Sequence, residues 1–162
     1  SILFLNPMLE PGNNKGTLKA LQIIHRAMLL GMILFASIAF FLNYSGNFPP
    51  SLQQHDQVLQ VIAIVLSVGG FFIGNTLFKK KIFQLRESGN DLNDKLSGYR
   101  SASLLQWALL ESPALFAIIS FLLVGNYAFL ALVAALMLLF AINAPTKIKI
   151  AMLLQVSEDE IN

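Results

Sequence analysis

The chain has 162 residues, of which 56% are hydrophobic and only 12% are charged, and its formal net charge is +2. So few charged side chains leave too little polar surface to cover a water-soluble globule of this size, which favours one domain surrounded mostly by lipid. Because the chain contains no cysteine, the sequence excludes disulfides, thiolate metal sites and thiol catalysis.

Four apolar stretches are each close to the ~20 residues that cross a hydrocarbon core about 30 Å thick. They cover residues 21–44, 58–78, 104–125 and 128–145. We therefore predict an all-α integral membrane protein with four transmembrane helices.

All eleven Lys and Arg residues fall on one side of this arrangement. They lie near the start of the first span, between the second and third spans, and after the fourth. The connecting segments 45–57 and 125–127 contain none. Because cytoplasmic loops retain Lys and Arg, we predict a multi-pass protein of a bacterial cytoplasmic (inner) membrane, with both termini cytoplasmic. The basic residues are Lys15, Lys19, Arg26, Lys79, Lys80, Lys81, Arg86, Lys95, Arg100, Lys147 and Lys149.

Three segments are predicted to lie on the cytoplasmic side. Segment 1–19 precedes the first span, and segment 79–103 is the largest part outside the membrane, with a break at 88–90 and then a helical lead into the third span. The tail 146–162 begins with spaced apolar residues and ends with acidic ones. It could lie along the membrane surface, dock on the lysine cluster 79–81, or remain solvated.

The sequence also contains a candidate internal duplication. Residues 25–42 align without gaps with 106–123, and residues 71–82 align with 139–150. Two in-out-in hairpins would result, related by an axis along the membrane normal. The alternative is that apolar helices share residue types by composition alone. The matched pairs include Phe72 with Phe140, Asn75 with Asn143, Lys79 with Lys147, and Lys81 with Lys149.

Glu111 is the only acidic residue inside a predicted span. At 1.5 Å per residue it lies about 10 Å into the hydrocarbon core, where an ionisable side chain is costly and marks a candidate functional site. Pro113 cannot donate to the carbonyl of Leu109 and is expected to kink the helix there. Because broken backbone is tolerated in lipid only where protein or water satisfies it, we expect this face to turn inward.

Polar residues of the other spans lie at a similar depth and could join Glu111. If the duplication is real, Arg26 and Glu111 bring a cation and an anion to equivalent hairpins and could pair. The alternative is that Arg26 extends to the lipid head groups. We predict no metal site and no cofactor, since His25 and His55 lie on opposite sides of the membrane in this topology. The candidate ion-binding or polar cluster comprises Glu111, Ser112, Arg26, His25, Asn75 and Asn143.

Small residues form a stripe on the second span, at the spacing that allows close helix approach in GxxxG motifs. They are Ser67, Gly70 and Gly74. Packing within the bundle is the expected use of this stripe, and association with another protein is the alternative.

The stretch from Ala108 to Val124 resembles the ion-binding helix of rotary ATPase proteolipid c subunits. In that family a mid-membrane Glu followed by an apolar run carries a proton or a sodium ion, so the resemblance implies that Glu111 is an ion carrier. The glycine-rich partner helix of the family resembles the second span with Gly70 and Gly74. The whole chain resembles small four-span bacterial membrane proteins whose activity is uncharacterised.

We predict a non-enzymatic accessory or scaffold component of a membrane complex. In this interpretation Glu111 makes polar contacts that hold the helices of the bundle together. The alternative is a proton- or cation-handling transport module centred on Glu111. The expected partners are the lipid bilayer and either another membrane protein or a second copy of the chain. Nucleic acid is not expected, because the lysine cluster 79–81 is short and adjoins the membrane.

Overall fold

The computed structural model describes residues 16–161, and all regular structure in that range is helical. The predicted all-α class is therefore confirmed for the described chain. The predicted cytoplasmic segment up to residue 15, with Lys15, lies outside it. The α-helices are α1 (Thr17–Tyr44), α2 (Asp56–Glu87), α3 (Leu92–Val124), α4 (Ala128–Ile142) and α5 (Lys147–Leu154), and single turns of 3₁₀ helix cover Gln53–His55 and Glu158–Glu160.

Three helices, α1, α2 and α3, are long and apolar enough to cross a membrane. Helix α4 has 15 residues, which extend only about 22 Å, less than a hydrocarbon core of about 30 Å. It meets α5 at a bend of 71°, and the two helices form a fourth candidate span only when they are taken together. The structure thus has three or four candidate spans, where the sequence predicted four.

The predicted fourth span, 128–145, does not form one helix. Proline disfavours helical geometry in the residue before it, so Pro145 opposes continuation of α4 beyond Ile142. Thr146 then starts α5, because its hydroxyl oxygen accepts a hydrogen bond from the Lys149 backbone N–H at 3.1 Å.

Segment 79–103, which the sequence assigned to the cytoplasm, consists mainly of the ends of two long helices. Helix α2 continues to Glu87 and α3 begins at Leu92, so only residues 88–91 separate them. The Asp91 carboxylate accepts a hydrogen bond from the Asp94 backbone N–H at 3.0 Å and caps the start of α3. Both helices therefore extend beyond the predicted spans.

Helix α3 is the centre of the bundle. It packs against α1, α2 and α4, whereas α1 and α2 have hardly any contact with each other. Half of the apolar window of α3 is buried, compared with 11% in α1 and 22% in α2. Apolar side chains such as Leu30 (66% exposed) and Val65 (63% exposed) cover the outer surfaces of α1 and α2. This outer surface suits contact with lipid chains.

The bundle has two chemically different ends. One end carries no Lys or Arg in the described range, and we call it the opposite end because it lies across the bundle from the basic residues. There both carboxylate oxygens of Asp56 accept hydrogen bonds from Asn126 Nδ2, at 3.2 and 3.0 Å. The backbone N–H groups of Ser51 and Leu52 there both donate to the Leu123 carbonyl oxygen. The other end, which we call the basic end, contains the start of α1, the break between α2 and α3, and α5. The Lys and Arg residues in the described range all belong to the basic end.

The tail docks on the basic end of α2. Arg86 donates from Nε and Nη2 to the carbonyl oxygen of Leu153, at 3.0 and 2.9 Å. Leu154 and Ile161 are buried, and Leu153 lines a hollow together with Lys79. Three placements were expected for the tail, and the structure shows the one in which the tail docks on the bundle. Its hydrogen bonds come from Arg86 and not from the lysine cluster 79–81.

Candidate functional site

His25 lies in a buried aromatic cluster between α1, α3 and α4. Its Nε2–H donates to the Phe140 carbonyl oxygen at 2.7 Å. The imidazole stacks on the Phe140 ring with 4.4 Å between centroids and meets Trp107 edge-on at 4.8 Å. All three side chains are at most 3% exposed. His25 is therefore part of the buried core of the bundle.

Side chains from α1 and α3 satisfy the carbonyl groups where α4 ends. Trp107 donates from Nε1 to the Asn143 carbonyl oxygen at 3.3 Å, and Gln22 donates from Nε2 to the Pro145 carbonyl oxygen at 3.3 Å. The Asn143 side chain donates to the Leu139 carbonyl at 2.8 Å. Because the last carbonyls of a helix have no intrahelical partner, these contacts and that of His25 together cap α4.

Asn75 has a separate partner. Its Oδ1 accepts a hydrogen bond from Nε2 of Gln106 at 2.8 Å, and Gln106 is buried. Gln106 was not among the predicted site residues, although the proposed duplication aligns it with His25. That alignment is the one sequence signal that could have identified Gln106. In the structure both side chains bond to a helix of the other predicted hairpin. The duplication itself stays a prediction.

Glu111 is half-buried and stands apart from the other predicted members of its cluster. It forms no hydrogen bond or ion pair with any residue in the range 16–161. Arg26 is exposed and does not pair with Glu111. The Ser112 hydroxyl donates to the Ala108 carbonyl of its own helix at 2.8 Å. The structure therefore divides the predicted cluster into the α4 cap (His25 and Asn143), the Asn75 contact, and three separate residues, Arg26, Glu111 and Ser112.

Glu111 adjoins an exposed strip of α3. Ala108, Ser112 and Ile119 are all exposed and share one side of the helix by their spacing. We call Ala108, Glu111 and Ser112 the Glu111 face. In the described part of the chain, every fully buried side-chain nitrogen or oxygen has a hydrogen-bond partner. Glu111 is thus a polar group within an apolar helix window that residues 16–161 leave without a hydrogen-bond or ion-pair partner.

The small-residue stripe of α2 faces α3. Gly74 lies near the Leu109 side chain, since a Cβ atom built on it would be 3.6 Å from Leu109 Cβ. A Cβ atom on Gly70 would overlap the Leu109 carbonyl oxygen and approach Pro113 Cγ to 3.3 Å. Ser67 is buried and donates to the Ala63 carbonyl of its own helix at 2.7 Å. These small residues therefore allow α2 to approach the backbone of α3 where Pro113 interrupts its hydrogen bonding.

Residues 16–161 contain no group of three or more His, Cys, Asp or Glu side chains that could hold a metal ion. Comparisons of the chain with protein-family models, with curated proteins and with solved structures find no match.

Proposed function

We propose that the protein is a non-enzymatic multi-pass membrane protein that serves as an accessory or scaffold component of a membrane complex. In this proposal the chain crosses a bacterial inner membrane four times, and its basic end lies in the cytoplasm. The partner binds laterally, at the Glu111 face, and supplies the hydrogen-bond donor or cation that Glu111 lacks.

The observation that carries this proposal is that no residue in the described part of the chain forms a hydrogen bond or ion pair with Glu111. A carboxyl group exposed to hydrocarbon is costly, and the cost falls when another polar group bonds to it. The fully buried polar side chains of the described bundle already have partners, so the internal contacts are complete without Glu111. Ala108 and Ser112 on the same face are small, which would let the backbone of a neighbouring helix approach closely. We therefore assign the carboxyl group of Glu111 to association with a partner.

The contacts around Glu111 favour a scaffold over a carrier of metal cations. A bound metal cation needs several oxygen ligands around it, and in the described range no other polar group is bonded to Glu111. The Ser112 hydroxyl donates within α3, the Leu109 carbonyl packs against Gly70, and Arg26 forms no hydrogen bond or ion pair with Glu111. An ion carrier of the proteolipid type remains the alternative that the experiment must exclude.

The test compares Glu111→Gln, which keeps a hydrogen-bonding group, with Glu111→Leu, which removes it. We expect the complex extracted from native membranes in a mild detergent to keep its size with Glu111→Gln and to lose the partner with Glu111→Leu. Leu30→Gln is the matched control, because Leu30 is the exposed α1 residue that the duplication aligns with Glu111. A proton or cation flux through reconstituted vesicles that Glu111→Gln abolishes would replace the scaffold proposal with the ion carrier.

A further inference from the structure

An open groove of about 360 Å³ lies between α2 and α3 at the basic end. Its volume is within the range of small-molecule sites, which begins at about 300 Å³. The rim nearest the break between the helices is polar, whereas the walls toward the bundle are apolar. The polar rim comprises Lys80, Lys81, Gln84 and Ser101, and the apolar walls include Leu77 and Leu105.

The groove changes from apolar to cationic along the helix axes. From Leu77 to Gln84, α2 rises about 10 Å, and within that distance its lining changes from leucine to lysine and amide. The α3 wall shows the same order, since Leu105 lies deeper in the bundle than Ser101. Such a gradient matches a phospholipid at the membrane boundary, where the acyl chains are apolar and the head group is polar.

The two lysines at the rim are available to an anion. Both are exposed, and neither forms an ion pair with any residue that the structure describes. The nearest acidic residues along the helices, Glu87 and Asp94, lie farther toward the break between α2 and α3. The rim is therefore positive where the phosphate of a lipid in the adjoining leaflet would lie.

We propose that this groove binds one anionic phospholipid, with its phosphate at Lys80 and Lys81 and the start of an acyl chain against Leu77 and Leu105. Gln84 and Ser101 provide side-chain donors for the phosphate or glycerol oxygens. The site differs from the Glu111 face, so the lipid proposal and the scaffold proposal can fail independently.

The test is native mass spectrometry of the purified 162-residue chain in a mild neutral detergent, titrated with phosphatidylglycerol or phosphatidylcholine. We expect one tightly bound phosphatidylglycerol and weaker binding of phosphatidylcholine. The double variant Lys80→Gln/Lys81→Gln should weaken phosphatidylglycerol binding about thirtyfold, since each lysine near an anionic surface contributes a factor of about five.

Two further variants separate the groove from general charge and from misfolding. Lys19→Gln/Lys147→Gln removes the same charge from the basic end outside the groove and should retain the lipid. Ser101→Phe fills the exposed rim, keeps both lysines and should release the lipid. The fluorescence of the only tryptophan, Trp107, confirms that each variant is folded. The proposal is overturned if the two lipids bind equally well, or if both lysine double variants lose the lipid to the same extent. It is also overturned if an equal concentration of glycerol phosphate displaces the lipid.

Discussion

Gly70 of α2 lies against the carbonyl group of Leu109 in α3, so closely that a Cβ atom on residue 70 would overlap the carbonyl oxygen. This carbonyl is the one that Pro113 deprives of its helical N–H partner. The glycine therefore covers an acceptor that would otherwise face hydrocarbon, and its Cα–H group can serve as a weak donor. A helix interruption in one span and a glycine in the next thus form a single packing feature.

Gly70→Ala should destabilise the bundle, because the added methyl group must push α2 away from the α3 backbone. We expect the free energy of unfolding to fall by about 1–3 kcal/mol, as in other overpacked cores. Gly69→Ala is the control, because a Cβ atom at that position meets nothing within 4 Å beyond the adjacent residues and backbone of its own helix. It should be neutral or slightly stabilising, since alanine favours a helix over glycine by about 1 kcal/mol. Equal unfolding midpoints for the two variants in detergent would contradict the observed helix contact.

The His25 contact should contribute to stability through both its ring and its hydrogen bond. His25→Phe keeps a ring in the cluster but removes the donor to Phe140, and should cost about 1 kcal/mol. His25→Ala also leaves a cavity beside Trp107 and should cost roughly 3 kcal/mol, with a red shift of the Trp107 emission. Thermal unfolding in detergent gives the order of stability, with Arg26→Ala at the exposed neighbouring position as control. If His25→Ala unfolds at the same temperature as Arg26→Ala, the aromatic cluster contributes little to the stability of the bundle.

Arg86 should hold the tail on α2. Arg86→Gln removes the two N–H donors to the Leu153 carbonyl. Because a hydrogen bond from a charged donor contributes about 1.5–3 kcal/mol, hydrogen exchange of α5 and of Val156 should accelerate about tenfold or more. Arg100→Gln removes the same charge from an exposed residue of α3 and should leave this exchange unchanged. Unaltered exchange in Arg86→Gln would mean that apolar packing of Leu154 and Ile161 alone holds the tail.

The number of membrane crossings can be read from single cysteines, because the chain contains none of its own. Cysteines at Gln54, at Ser88 and at Gln155 report on the opposite end, on the α2–α3 break and on the tail. We expect Gln54→Cys to label from outside intact cells, and Ser88→Cys and Gln155→Cys only after permeabilisation. External labelling of Ser88→Cys would reverse the orientation. If Gln155→Cys labels from outside together with Gln54→Cys, while Ser88→Cys does not, α4 and α5 turn back without crossing the membrane.

The long apolar runs were sufficient to predict the helices, because hydropathy over about 20 residues reports membrane-spanning potential directly. The end of α4 could not be predicted from hydropathy, since the run continues to Ala144 while Pro145 and its neighbours break the helix. The helix contacts of Gln106 and Trp107 were also missed. They depend on how each helix is rotated toward helices distant in sequence, and single-sequence periodicity is weak in spans that are apolar on all sides. For the same reason the partly buried position of Glu111 became visible only in the structure.

Site-specific photo-cross-linking from Ala108 tests the central claim most directly, because Ala108 is exposed on the Glu111 face. In native membranes we expect a discrete protein adduct from a photoreactive residue at Ala108, whereas the same residue at Val65, exposed on α2, should react with lipid. The adduct should persist with Glu111→Gln and disappear with Glu111→Leu, and its mass identifies either a second copy of the chain or another membrane protein. Lipid adducts alone at Ala108, or a protein adduct of unchanged yield in Glu111→Leu, would contradict a partner held by Glu111.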